Sequence, residues 1–164
     1  MAKVLQKRVV IGGTFETLHK GHWALFKRAF GLGEVFIGLT SDQMAKKHKK
    51  RKVKDFKERK KELNDFIKKK FPTEAATIKP RIVKIEDKFG PALKGEFDYI
   101  VVSPETYKTA ILLNEERKKT GKKSLKIIKI NFVLAEDGKP ISDSRILKGE
   151  IDRQGKLLAR KISN

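Results

Sequence analysis

Arg8-Val-Val-Ile-Gly-Gly-Thr-Phe-Glu-Thr-Leu-His-Lys-Gly-His22 is the stretch from which the fold and the function of this chain can be inferred. Its apolar run, residues 9–11, predicts a buried parallel strand. The strand should end at the pair Gly12-Gly13, because two residues without Cβ let the chain turn sharply and let a ligand approach closely. The apolar residues that follow recur at helical spacing, which predicts a helix with His19 and His22 on one face of its first turn.

This arrangement predicts a phosphate site. A helix N-terminus favours anions, because its free N–H groups and the positive end of its dipole point outward. The hydroxyl of Thr14 and the two imidazoles, His19 and His22, would add hydrogen-bond donors for a phosphate that carries developing charge. A single histidine on a half-apolar helix is more often a packed or solvated residue. The order of strand, diglycine, threonine and His-x-Gly-His favours the catalytic interpretation.

The composition excludes several kinds of protein. The chain of 164 residues contains no cysteine, which excludes disulfides, thiol catalysis and zinc–thiolate sites. It has no signal-peptide pattern and no long apolar run, so we expect a cytoplasmic protein with no membrane segment. A single domain over residues 1–164 is expected, with a peripheral C-terminal extension over 147–164.

Basic residues dominate the surface, and the formal net charge is +20. The electric field of so positive a surface attracts polyanions of any kind, so the charge alone does not identify the ligand. The densest run, residues 46–54, predicts a solvated, peripheral basic loop over 46–61, from which Lys46 or Lys47 could reach a phosphate. No aromatic residues interleave this run, so nucleic-acid binding is disfavoured. Self-repulsion of so basic a surface favours a monomer.

The remaining chain predicts alternating strands and helices. The predicted strands cover residues 34–40, 80–87, 98–103 and 126–133, and the predicted helices begin at residue 21 and near residue 43 and cover 55–71 and 104–121. This order predicts an α/β fold, a Rossmann-like three-layer domain with a mainly parallel five-stranded sheet. The loops after the strands should meet at one edge and bring together the diglycine loop, Thr40, Asp87, Ser103 and the turn at Ser142.

Two motifs carry a resemblance to a known superfamily. Gly-Gly-Thr-Phe-x-x-x-His-x-Gly-His resembles the signature of the cytidylyltransferase-like nucleotidyltransferases, and Ile141-Ser-Asp-Ser-Arg145 resembles their closing motif. Alone, the second motif would be a plain helix N-cap. The resemblance implies that Ser142, Ser144 and Arg145 hold the β- and γ-phosphates of a nucleotide. Asp143 departs from the pattern and is assigned to capping.

Further segments resemble one branch of this superfamily, the archaeal and eukaryotic phosphopantetheine adenylyltransferases. They are Gly38-Leu-Thr-Ser-Asp42, Asp87-x-x-Gly-Pro91, Val101-Val-Ser-x-Glu-Thr106 and Arg145-Ile-x-x-Gly-Glu-Ile-Asp152. The resemblance implies transfer of AMP from ATP to 4′-phosphopantetheine, which yields dephospho-coenzyme A and pyrophosphate. It also implies Mg²⁺ on the triphosphate, bound mostly by nucleotide oxygens and water rather than by a metal site of the protein.

The expected roles follow from these motifs. Without a cysteine or a legible catalytic triad, direct in-line attack is expected. Thr14 would orient the attacking phosphate, His22 would donate to the α-phosphoryl oxygens, His19 would support the β-phosphate, and Lys46 or Lys47 would bridge the phosphates. The other expected nucleotide contacts are Gly12, Gly13, Phe15 and Ser103, and the other expected acceptor contacts are Thr40 and Asp87.

Two alternatives remain at the level of the sequence. The first is the same chemistry on another acceptor, namely flavin mononucleotide, nicotinamide mononucleotide, or an alcohol phosphate with CTP. The second is a basic nucleic-acid-binding module with a relict nucleotide site, which would show steep salt dependence of binding.

Overall fold

The computed structural model describes residues 6–159, and a five-stranded parallel sheet forms its centre. Every strand pairs in parallel with its neighbours, and the order across the sheet is β3-β2-β1-β4-β5. The strands are β1 (Arg8–Gly13), β2 (Glu34–Thr40), β3 (Arg81–Ile85), β4 (Tyr99–Val102) and β5 (Lys126–Lys129). The predicted α/β fold is therefore confirmed.

Helices connect the strands. They are α1 (Lys20–Phe30), α2 (Asp42–Lys49), α3 (Phe56–Lys70), α4 (Pro72–Thr77), α5 (Tyr107–Lys119) and α6 (Asp143–Leu147), with a short 3₁₀ turn at Gly90–Ala92. None of the helices within residues 6–159 is long and apolar enough to cross a bilayer.

Successive residues of β1 pack on opposite faces of the sheet, as the strand period of two requires. Val9 and Ile11 belong to a core with residues of α1 and α3, such as Phe26 and Leu63. Val10 lies on the other face, in a cluster that includes Leu113 of α5 and residues of the 3₁₀ turn. Helices therefore cover both faces of the sheet, and the three-layer arrangement holds β1 rigidly at its centre.

The turn after β1 differs from the prediction. Gly12 and Gly13 are the last two residues of the strand, where they pair with Gly38 and Leu39 of β2. The residue in the left-handed region is Phe15, with φ of 46°. Gly13 is explained by space instead, because a Cβ on it would lie 3.0 Å from the Phe15 ring, whereas a Cβ on Gly12 would make only an ordinary contact, 3.6 Å from the carbonyl oxygen of Gly38.

The predicted basic loop over 46–61 is wrong at both ends. Residues 46–49 complete α2 and residues 56–61 begin α3, so only residues 50–55 connect the two helices. Ser41 and Asp55 cap the two helices by accepting hydrogen bonds from backbone N–H groups. The run is also not uniformly solvated, since the side chain of Arg59 is fully buried.

Pro72 begins α4 in a stretch where no element was predicted, because a proline at the first helical position loses no hydrogen bond there. In the C-terminal segment, residues 148–159 form no helix but two short irregular contacts. Ile151 bridges to Leu157 and is fully buried, and the Lys20 N–H donates to the carbonyl of Arg153 at 2.9 Å. The described part of the predicted C-terminal extension therefore packs against the start of α1, and residues 160–164 lie outside the residues that the structure describes.

Candidate active site

His19 and His22 form a reciprocal cap at the start of α1. His19 is the N-cap residue, and its Nδ1 accepts a hydrogen bond from the N–H of Gly21 at 3.0 Å. The N–H of His19 in turn donates to Nδ1 of His22 at 3.2 Å. The two rings stack with centroids 3.9 Å apart. A Cβ at position 21 would lie 2.8 Å from the His19 ring, which explains the glycine between the histidines.

These hydrogen bonds set the position of each imidazole proton. Because both Nδ1 atoms accept from backbone N–H groups, each neutral ring carries its proton on Nε2. The pair therefore presents two N–H donors, which suits an anion. His19, His22 and Asp143 also offer three ligand atoms within 4.8 Å of one another. A metal on either Nε2 would move the proton to Nδ1 and break the cap, so this cluster fits a phosphate better than a resident metal ion.

The surroundings keep His22 neutral. Burial, followed by the adjacent His19 ring, lowers the pKa of His22 from 6.5 to about 3, although the Asp143 carboxylate acts in the opposite direction. The ring of Phe15 packs edge-on against His22, with centroids 5.3 Å apart, and is itself buried. Phe15 therefore supports the histidine from the core.

This low pKa has a consequence for stability. Below pH 6.5 the unfolded chain takes up a proton at His22 that the folded chain does not bind, so the stabilisation is complete above pH 6.5 and is lost as the pH falls towards 3. We expect His22→Asn to reduce the slope of the unfolding free energy against pH by about 1.4 kcal/mol per pH unit in this window. Urea unfolding between pH 4 and 7 measures it.

The matched control is His48→Asn, because His48 lies exposed on α2. It should leave the slope as in the wild type. An unchanged slope in His22→Asn would contradict the buried, neutral imidazole.

Asp143 points into this cluster, which corrects its assignment to capping. Ser142 is the N-cap of α6 and accepts from the N–H of Arg145. The Asp143 carboxylate instead lies 3.3 Å from Nε2 of His19 and 3.3 Å from Nζ of Lys49. Burial would raise the pKa of the Asp143 carboxyl, but the His19 hydrogen bond and the Lys49 charge outweigh it and hold the pKa at about 2. The ionised Asp143 carboxylate thus occupies the position, between His19 and Lys49, that a bound anion would take.

The carboxyl ends of β1 and β2 meet beside the histidines. The hydroxyl of Thr40 donates to the hydroxyl of Thr14 at 3.0 Å. Thr40 is buried and Thr14 is half-buried. A pair of hydroxyls at the edge of the sheet and a pair of imidazole N–H donors are therefore available to an anion. The first N–H groups of α1 are not, because that of Lys20 donates to the carbonyl of Arg153 and that of Gly21 donates to Nδ1 of His19.

Comparison with known proteins identifies the family. A family model described as Cytidylyltransferase-like matches residues 10–149. A protein named phosphopantetheine adenylyltransferase from Methanosarcina mazei is 46% identical, over 92% of this chain and 96% of its own length. This chain belongs to the archaeal phosphopantetheine adenylyltransferase family. A further member, from Archaeoglobus fulgidus, is 43% identical over 92% of this chain and 99% of its own length.

Solved structures share the fold of this chain. A crystal structure of a protein of unknown function from Archaeoglobus fulgidus has a TM-score of 0.69 at 39% identity, and it covers 75% of this chain and 88% of that one. A tyrosyl-tRNA synthetase from the same organism has a TM-score of 0.58 at 14% identity, and it covers 85% of this chain and 59% of the synthetase. At this identity, the match to the tyrosyl-tRNA synthetase shows only that the two chains share a fold.

Four further residues predicted to act in this phosphopantetheine adenylyltransferase fold form no hydrogen bond or ion pair with the histidine pair within residues 6–159. Lys46 and Lys47 are exposed on α2, and neither forms an ion pair with any residue in 6–159. The Asp87 carboxylate accepts from the N–H groups of Phe89 and Gly90 and so shapes the turn after β3. The Ser103 hydroxyl lies 3.3 Å from that of Thr106 at the start of α5.

The residues of the closing motif, 141–145, make two separate sets of contacts. The hydroxyls of Ser142 and Ser144 lie 3.3 Å apart, beside Asp143. Arg145 points elsewhere: its guanidinium forms ion pairs with Asp137 and Glu150 and donates to the carbonyl of Pro140. Arg145 therefore fastens the segment that carries the serines.

Two supporting ion pairs, Glu16–Arg51 and Asp42–Arg59, were not predicted from the sequence. Glu16 is buried, and both of its carboxylate oxygens lie 3.0 Å from the guanidinium of Arg51. This ion pair joins residues 50–55, between α2 and α3, to the loop between β1 and α1. Arg59 is fully buried beneath Thr14 and Thr40. Its position gave a usable signal, because Arg59, Leu63 and Ile67 recur every four residues along the buried stripe of α3.

Proposed function

We propose that this protein transfers AMP from ATP to 4′-phosphopantetheine and so forms dephospho-coenzyme A and pyrophosphate. The observation that carries the proposal is the 46% identity, over almost the whole of both chains, with a protein named for this activity. The site supports it independently, because its hydrogen-bond donors are arranged to bind anions. Direct in-line attack on the α-phosphorus is the mechanism that such a site can assist.

The histidine pair supplies charge stabilisation. With its proton on Nε2 and a pKa of about 3, His22 donates a neutral hydrogen bond to the α-phosphoryl oxygens at any physiological pH. His19 directs its own Nε2 towards the anion position where Asp143 now lies, which suits the β-phosphate. Thr14 lies at the end of β1 and orients the attacking phosphate of the acceptor. The cap holds both imidazole rings in place before substrate arrives, so neither ring has to reorient during the reaction.

Lys49 is the lysine best placed to bridge the phosphates, in preference to Lys46 and Lys47. Its Nζ lies 3.3 Å from the Asp143 carboxylate and its side chain is half-buried. A triphosphate that displaces Asp143 would exchange one anionic partner of Lys49 for another. The hydroxyls of Ser142 and Ser144 adjoin the same position and would hold the leaving pyrophosphate.

We expect Lys49→Ala to lower kcat/KM for ATP by roughly ten- to a hundredfold, the range expected when a charge-assisted hydrogen bond to phosphate is lost. Steady-state pyrophosphate release at varied ATP measures it. Lys60→Ala is the matched control, because Lys60 lies exposed on α3. A larger loss in Lys47→Ala than in Lys49→Ala would refute the assignment.

Mg²⁺ enters this proposal as part of the substrate MgATP. The one cluster of possible metal ligands among residues 6–159 contains two Nε2 atoms that carry protons, and Mg²⁺ prefers oxygen ligands. The ion is therefore held by nucleotide oxygens and water, and no step is assigned to a metal bound by the protein alone.

A panel of acceptors tests the proposal. Pyrophosphate release from MgATP is measured with 4′-phosphopantetheine, flavin mononucleotide or nicotinamide mononucleotide, and release from MgCTP is measured with an alcohol phosphate. The proposal expects release with 4′-phosphopantetheine alone. Release with a different acceptor would keep the phosphate site and change the substrate, whereas salt-sensitive nucleic-acid binding with no release at all would favour the basic binding module.

We further propose a cytoplasmic monomer. The net charge of +20 opposes self-association, and nucleic acid is not assigned as a partner. Light scattering at physiological ionic strength measures the mass of the particle directly.

A further inference from the structure

Arg59 lies underneath the carboxyl ends of β1 and β2, and each of its three guanidinium nitrogens donates to a named acceptor. The side chain is fully buried. Its Nε donates to the carbonyl of Lys54 at 2.8 Å, and its Nη2 donates to the Asp42 carboxylate at 3.1 Å. Its Nη1 lies 3.2 Å from the carbonyl of Thr14 and 3.3 Å from the hydroxyl of Thr40.

This guanidinium determines the direction of the hydrogen bonds above it. Arginine has only donors, so the hydroxyl oxygen of Thr40 must accept from Arg59. The single proton of Thr40 is then free to be donated to the hydroxyl oxygen of Thr14, 3.0 Å away. Thr14 accepts that bond, and its own proton is directed away from Thr40. The chain of hydrogen bonds therefore runs in one direction, from the buried cation towards the half-buried threonine.

We propose that Arg59 acts through Thr40 as a positioning residue that presents the Thr14 hydroxyl as an oriented donor to the phosphate of the acceptor. Without it, a threonine hydroxyl can rotate and turn its lone pairs towards the incoming phosphate. With it, the donor faces the phosphate before binding, which is the arrangement that makes hydrogen bonds effective in a site. The inference rests on the proposed function, in which Thr14 contacts the acceptor.

A double-mutant cycle tests this relay. Thr14→Val, Thr40→Val and the double variant are compared by kcat/KM for 4′-phosphopantetheine and by KM for ATP. We expect Thr14→Val to lower kcat/KM by roughly ten- to a hundredfold and Thr40→Val by roughly five- to tenfold, as for hydrogen bonds to a charged group. In the Thr14→Val background, Thr40→Val should cost less than about twofold, because the two act as one unit. KM for ATP should stay at the wild-type value in all three variants.

Two further variants separate the relay from folding. Thr40→Ser keeps the hydroxyl and should recover most of the lost kcat/KM. Thr77→Val makes the same change on α4, where the Thr77 hydroxyl donates to the carbonyl of Thr73, and it should match the wild type. Arg59 itself is a poorer test, because its removal leaves a buried hydroxyl and three further acceptors without their donor and can unfold the chain.

The outcomes distinguish the relay from the proposed function. A wild-type protein that is inert with 4′-phosphopantetheine overturns the proposed function, and the relay with it. An active wild type in which Thr14→Val has no effect removes Thr14 from acceptor binding. An active wild type in which the two threonine effects multiply independently, or in which Thr40→Ser fails to recover, overturns the relay alone.

Discussion

Replacing His22 by alanine is expected to lower kcat by roughly a hundred- to a thousandfold, the loss seen when one donor to a developing oxyanion is removed. The reason is the oriented Nε2 proton, which the cap holds in place and which a pKa of about 3 keeps neutral. KM for ATP should change little, because the contact strengthens only in the transition state. Steady-state pyrophosphate release measures both constants.

His48→Ala is the matched control for this experiment, since it removes an exposed imidazole from α2. His22→Gln restores a side-chain N–H donor and should recover part of the rate. The fold should survive in both His22 variants, because one capping hydrogen bond contributes only about 1 kcal/mol. Wild-type kcat in His22→Ala would remove this histidine from the mechanism.

Replacing Arg117 by methionine is expected to reduce the free energy of unfolding by about 3 kcal/mol, because buried acceptors lose their donor. The side chain is buried in α5, and its Nη1 donates to the carbonyls of Ala92 and Gly95 at 2.8 Å each. Its Nε donates to the carbonyl of Lys123 at 2.8 Å. Arg117 thereby joins the 3₁₀ turn, α5 and the approach to β5. Urea unfolding at neutral pH measures the loss.

Lys118→Met is the control, because it removes the neighbouring positive charge from an exposed position of the same helix. It should change the unfolding free energy by less than about 0.5 kcal/mol. Equal stability of the two variants would show that the carbonyls around Arg117 find other donors.

The strands could be predicted from apolar runs, and β2 has the predicted bounds. The predicted strands over 80–87 and 126–133 were longer than β3 and β5, because each of these edge strands extends only as far as it pairs with its one neighbour. β3 pairs only with residues 36–40 of β2, and β5 pairs only with β4. The helix α4 was missed because no element was predicted between the helix over 55–71 and the strand from residue 80, although Pro72 is suited to a first helical position.

The histidine pair could be predicted because its geometry is local: three residues of spacing at a helix start bring the two rings together. Asp143 and Lys49 could not, because their meeting depends on how α6 and α2 are placed in the fold. Lys46, Lys47 and Lys49 belong to the same basic run of the sequence, and they differ only in the direction in which their side chains leave α2.

Arg59 and Arg117 give a more general lesson. Arg59 fell within the predicted solvated loop over 46–61 and Arg117 was not singled out, yet each lies at a position of the buried stripe of its helix. Arg117 follows Ala110 and Leu113 along the buried stripe of α5, as Arg59 precedes Leu63 and Ile67 in α3. In each case the guanidinium replaces an apolar contact by hydrogen bonds to backbone or hydroxyl oxygens. An arginine at a stripe position is therefore a sign of a buried donor cluster.

The most direct test of the account follows the α-phosphate. Wild-type protein is incubated with ATP labelled at the α-phosphorus, Mg²⁺ and 4′-phosphopantetheine, and the labelled products are identified by mass and counted. The account predicts label in dephospho-coenzyme A, with one pyrophosphate released for each molecule formed. Label that remains in ATP, or that appears only as free AMP, would contradict transfer to this acceptor.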